Sequence, residues 1–144
     1  MVALVLPNWR VFLHVLGSIV LVGSVGAVVV LAVATKRHRD HSALLSRLAF
    51  RTLAFAVIPA WFLMRVPAQL VVDREYPHNS PTWIGIGFSV SEGVGVVILA
   101  SAVVAYLSAK RGGAGRLATT LALLAPIQLA ALVVAWWAMT TRPS

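Results

Sequence analysis

Cysteine is absent from the 144 residues. That excludes disulfides, thiolate metal sites and thiol catalysis, and leaves the redox compartment unread. Charge is scarce as well: 11% of the residues carry one, against about a quarter in an ordinary soluble domain. Only Asp40, Asp73, Glu75 and Glu92 are acidic, so there is no cluster of carboxylates for general acid and base work. No Ser, His and Asp set lies on the apolar segments to assemble a hydrolase. The GGAG run at 112–115 follows no strand, so it reads as a connector and not as a phosphate-binding loop. An enzyme is the least supported class.

What is abundant is apolar length. Hydrophobic residues make up 60% of the chain and the mean hydropathy is +0.90, which places it among polytopic membrane proteins. Four stretches, at about 11–35, 52–72, 82–109 and 117–139, each reach the roughly 20 residues that an α-helix needs to cross a bilayer's hydrocarbon core. The expected fold is all-α, a four-transmembrane-helix, up-and-down bundle forming a single domain over 1–144. Its length leaves no room for a separate soluble domain.

The chain opens with a short apolar lead, broken by Pro7 and closed by Trp9 and Arg10, a pair suited to a membrane interface. In the first span Gly17, Ser18, Gly23, Ser24 and Gly26 are small enough for a neighbouring helix to approach closely. Ala32, Val33 and Ala34 look like a signal-peptidase site. The apolar run is longer than a signal's core and basic residues follow it, so it is expected to stay as a helix. KRHRDHSALLSR then reads as a basic loop. The second span carries Pro59 and Pro67, each of which removes a backbone donor and predicts a bend. A polar turn, DREYPHNSP, follows; its Asn79 fails the glycosylation pattern because proline occupies the middle position.

Orientation follows from the loops. The first and third connectors, with Arg51, hold eight Lys or Arg, whereas Arg10, Arg74 and Arg142 fall on the other side. The positive-inside rule therefore predicts both termini non-cytoplasmic, and Trp9, Trp83, Trp136 and Trp137 then share the outer interface. The formal charge of +8 is accounted for by these cytoplasmic loops, and no nucleic-acid partner is expected. The imbalance also argues against a dual-topology dimer.

Three polar residues within the spans define the candidate site. At 1.5 Å per residue, Arg65 lies roughly 10 Å and Glu92 roughly 15 Å below the outer ends of their helices, and His14 about 5 to 8 Å. An intramembrane carboxylate needs a partner, a wet cavity or a proton. An ion pair between Arg65 and Glu92 is geometrically easy. It reads either as a static bridge fixing helix register or as the floor of an outward-facing polar cavity. His14 reads as a packed, hydrogen-bonded side chain, or as a metal or haem ligand whose second ligand no other span histidine supplies. Gln69 and Gln128 are secondary polar positions, Gln128 acting as glue between helices. Gly85, Ser89, Glu92 and Gly95 fall near one face, predicting close packing beside the carboxylate. Lys36, Arg37 and Arg39 form a lipid-facing basic loop suited to anionic headgroups. His38 and His41, three apart within it, have a spacing for weak metal binding that the surrounding cations oppose.

LHVLGSIVLVGSVGA, from Leu13 to Ala27, and AWWAMTTRP, from Ala135 to Pro143, resemble a family of small bacterial integral-membrane proteins of unknown function. These have four spans, one histidine in an LHVLG-like first helix and a W-x-M-x-x-[KR]-P tail. The opening is also distantly similar to copper-resistance D-type membrane proteins. The resemblance implies His14, packing residues Gly17 and Gly23, a tail of Trp137, Met139, Arg142 and Pro143, and a bacterial cytoplasmic-membrane address. It implies no reaction.

The expected function is that of a non-enzymatic integral membrane protein, partnered by the lipid bilayer and acting through helix association, as a homo-oligomer or as an accessory subunit. No cofactor is expected. Two alternatives stay open: a small proton-coupled or solute transporter using Glu92 and Arg65, and a haem- or copper-binding redox protein using His14.

Overall fold

The computed structural model describes residues 8–76, 78, 81–113 and 115–140. Pro7, Asn79 and the tail residues Arg142 and Pro143 lie outside the described residues. The described residues are almost all helical, with no strand among them. Helix α1 spans Trp9–Arg37, α2 Ser42–Thr52, α3 Ile58–Glu75, α4 Thr82–Lys110 and α5 Arg116–Thr140. A π-helical turn, Leu53–Val57, joins α2 to α3, so these form one continuous rod from Arg39 to Glu75. Among the described residues, four helices are therefore long and apolar enough to cross a membrane.

The second of them departs from the expected boundaries. Most of the segment read as a basic loop is helix, and only His38 and a single 3₁₀ turn, Arg39–His41, separate α1 from α2. The reason is a stripe of small and apolar residues at intervals of three and four. Ser42, Ser46, Ala49, Leu53 and Val57 are all buried, while Arg47 and Arg51 project from the opposite side. Charge marked the outer face of this helix, not its absence.

Proline explains the π-turn. Pro59 has no N–H, and its ring crowds the carbonyl four residues back, that of Phe55. Widening the preceding turn relieves the crowding, and Ile58 N–H reaches back five residues to the Leu53 carbonyl.

Contacts between the rods establish an up-down-up-down bundle. Ser46 Oγ lies 3.2 Å from Ser108 Oγ at one end. Arg65 meets Glu92 toward the other, so α4 runs antiparallel to the α2–α3 rod. The Gln128 amide of α5 donates to the Val97 carbonyl (3.0 Å) and to Ser101 Oγ (2.6 Å) of α4, and Gln128 is only 1% exposed. The start of α1 and the end of α5 lie at the same end of the bundle as the α3–α4 turn, because His14, Ala68, Gly87 and Ala135 line one cavity.

Two close approaches set the helix spacing. A Cβ on Gly17 would lie 2.5 Å from the Met64 backbone nitrogen and 2.7 Å from the Leu63 carbonyl carbon, so α1 and α3 touch backbone to backbone. At the opposite end Gly113, with φ +80°, seats the α4–α5 connector against the Ser42 backbone. Ser42 Oγ donates to the Gly112 carbonyl there, at 3.0 Å. Lys36 and Arg37 close α1, and with Arg39 they are exposed at this end.

Candidate functional site

The polar cluster is assembled beside the gap that Pro67 leaves in α3. Its missing N–H leaves the Leu63 carbonyl without its usual partner. One residue further on, the Met64 carbonyl lies 2.8 Å from His14 Nδ1. A carbonyl only accepts, so Nδ1 carries the proton, and in the neutral ring Nε2 is then a bare lone pair. His14 thus serves as a tie between α1 and α3, and it bonds to neither Arg65 nor Glu92.

Arg65 follows Met64 and turns toward α4. One guanidinium nitrogen donates to Glu92 Oε1 at 3.1 Å, and another donates to Gln69 Oε1 at 2.9 Å. The Arg65 guanidinium carbon sits 3.9 Å from the centre of the Phe88 ring, a cation–π contact. The Gln69 amide in turn donates to Asp73 Oδ1 at 2.7 Å. Arg65, Gln69 and Asp73 recur every four residues, which puts them in one row along α3. The expected Arg65–Glu92 pair and the polar role of Gln69 are both present. Asp73 completes the row unexpectedly, because α3 runs on through Glu75 where a turn was predicted.

This row is a scaffold for Arg65 and a poor path for protons. A glutamine amide has no proton to pass at neutral pH, so Gln69 interrupts any relay along the row.

Burial divides the pair unequally. The Arg65 side chain is 18% exposed and that of Glu92 65%. Arg65 faces the bundle, beside a cavity of about 60 Å³ that His14 and Ser91 also line. That is room for a few water molecules, and Ser91 Oγ is buried there without a hydrogen-bond partner. Glu92 faces outward. It sits at the rim of a lateral groove of about 270 Å³ between α3 and α4, bordered by Ile58, Trp61, Phe62, Val96 and Leu99. Trp61 forms the wall: its Nε1–H donates to the Ser91 carbonyl at 3.0 Å, and its ring fills the space a side chain at Gly95 would need.

The expected packing face on α4 is therefore divided. Gly95 packs internally, whereas Gly85, Ser89 and Glu92 are exposed, and nothing lies within 4 Å of where a Gly85 Cβ would be. His38 and His41 are both exposed, within and beside the 3₁₀ turn. Among the described residues no group of three His, Cys, Asp or Glu could hold a metal ion. Comparison with family models, curated proteins and solved structures finds no match for this chain.

Proposed function

We propose that this chain is a multi-pass protein of the bacterial cytoplasmic membrane, with both termini non-cytoplasmic, that works through association with partner helices. Two features support the orientation. Lys36, Arg37, Arg39, Arg47, Arg51, Lys110, Arg111 and Arg116 gather at the end where α1 and α4 finish, and Trp9, Trp83, Trp136 and Trp137 at the other. The bacterial address rests on the resemblance of the first and last helices.

One observation carries the function: the 65% exposure of the Glu92 side chain, ten residues into an apolar helix, beside an inward-facing arginine. A lone chain in a bilayer would turn that carboxylate toward hydrocarbon, where a charge at mid-depth costs about 3 kcal/mol or more. Ionisable groups inside spans face protein or water. A helix from a partner, seated on the lateral groove, removes Glu92 from lipid and supplies its second oxygen with a donor.

The reading is tested by the size and colour of the protein extracted in mild detergent. An assembly larger than the 15.4 kDa chain, colourless and free of stoichiometric metal, is the expected result, and Arg65→Met with Glu92→Gln in one chain reduces it to monomers. A monodisperse monomer in both detergent and lipid discs contradicts it. A second reading, a haem or copper protein, has one observation in its favour: the Nδ1 bond to Met64 aims the lone pair of His14 Nε2 away from that tie. A Soret band or stoichiometric copper that His14→Ala removes would establish it instead.

A further inference from the structure

We infer that the occupant of the Glu92 face is a second copy of this chain, in the same orientation, packed α4 against α4 about a two-fold axis along the membrane normal. The inference rests on the reading that this face is covered by protein, and it names the protein. The reason lies in the symmetry of depth. An axis along the normal brings each residue against residues of its own level in the bilayer, and an isologous contact is stable only if that level is self-complementary. At the level of Glu92 the chain presents both signs of charge side by side, since Arg65 and Glu92 are 3.1 Å apart. Among the described residues Glu92 Oε2 accepts no hydrogen bond. Arg65 has five N–H donors and gives one hydrogen bond to Gln69 and one to Glu92. Each copy thus has an acceptor to spare, and the Arg65 edge bonded to Glu92 is the part of this otherwise inward side chain that reaches the outer face. Two copies close an alternating ring of Arg65, Glu92 and their counterparts.

The surface around the pair fits a helix–helix seam. Gly85, Ser89, Glu92, Val96, Leu99 and Val103 follow one another at alternating intervals of four and three, and all are exposed. Spacing of that kind keeps one stripe facing a partner helix along a left-handed crossing. Gly85 and Ser89 lie at its outer end, where small side chains let two helices approach within reach of the charges. The outward faces of α1 and α5 bear exposed apolar residues such as Ile19 and Ile127 with no charge at that depth. Alternative occupants meet the chemistry less well. A lipid chain has no donor for a carboxylate, and the outer end of the helix lies roughly 15 Å away.

Because the chain has no cysteine, single cysteines report contacts directly. Ser89→Cys, oxidised in native membranes, is expected to form a disulfide-linked dimer, and Ile127→Cys, on the outward face of α5, to remain monomeric. A benzophenone amino acid in place of Val96 is expected to label a second copy, recognised by co-expressing tagged and untagged chains. Label on a different protein with Ser89→Cys monomeric overturns the second copy and leaves the covered face standing. Label on a second copy with Ser89→Cys monomeric overturns the α4–α4 two-fold. Label on lipid alone overturns both the inference and the reading beneath it.

Discussion

Replacing Gly17 with leucine should separate α1 from α3, with a loss of about 3 kcal/mol in the unfolding free energy, the upper end for overpacked sites. The size follows from what the new atoms would meet. The Met64 nitrogen and the Leu63 carbonyl carbon are backbone, and they cannot rotate out of the way as a side-chain tip can. As α1 moves off, the His14–Met64 hydrogen bond goes with it, at about 0.6 kcal/mol by the average for interhelical bonds in bilayers. Gly23→Leu is the matched control: a Cβ there meets nothing within 4 Å, and the change should be neutral. Reversible unfolding in lipid bicelles distinguishes them, and equal losses at both glycines would contradict the close packing of α1 on α3.

The second large effect is expected at the ion pair. Arg65→Met leaves Glu92 charged with no partner on the outward face of an apolar helix and should cost about 3 kcal/mol. Glu92→Gln should cost less, because Arg65 keeps Gln69 and the Phe88 ring and can extend its charge toward the interface. The double variant should recover most of the loss, since no charge is left uncompensated. A coupling of about 2 kcal/mol in the cycle would fit groups in one network. Additive losses would mean that the two residues do not support each other.

Much of this arrangement is legible in the amino-acid order. Apolar length located 82–109 and 117–139, and the helices are Thr82–Lys110 and Arg116–Thr140. Opposite charges at matching depth in successive spans predicted the Arg65–Glu92 pair. Gln128 at the middle of the last span is the buried link to α4. Where the fold departs from the pattern of charge and hydropathy, the causes are physical. The helical start of the second rod was hidden by Arg47 and Arg51, which look like loop residues but sit on the outer side of a helix whose inner side is Ser42, Ser46 and Ala49. The intervals of four and three between those small residues are the signal that marks it. The charge of Asp73 suggests a turn, whereas its interval from Arg65 through Gln69 places it in a helical row.

The outward aim of Glu92 was beyond such reasoning. A soluble helix declares its buried face through polarity, but a membrane helix is apolar on every side. The angular position of one carboxylate then depends on which neighbours pack where. Here Trp61 against Gly95 rotates α4 so that Glu92 clears the bundle while Gly95 does not.

The most direct test of a protein-covered Glu92 face is oxygen accessibility at Val96, measured by electron paramagnetic resonance on a spin-labelled single cysteine in lipid vesicles. Ile127 is the reference, at a depth fixed by the bond of its neighbour Gln128 to Val97. The two side chains are comparably exposed in the isolated chain, 68% and 59%. Oxygen concentrates among acyl chains, so a covered Val96 should relax well below Ile127. Equal accessibility at the two positions would leave Glu92 facing lipid and contradict the proposed association.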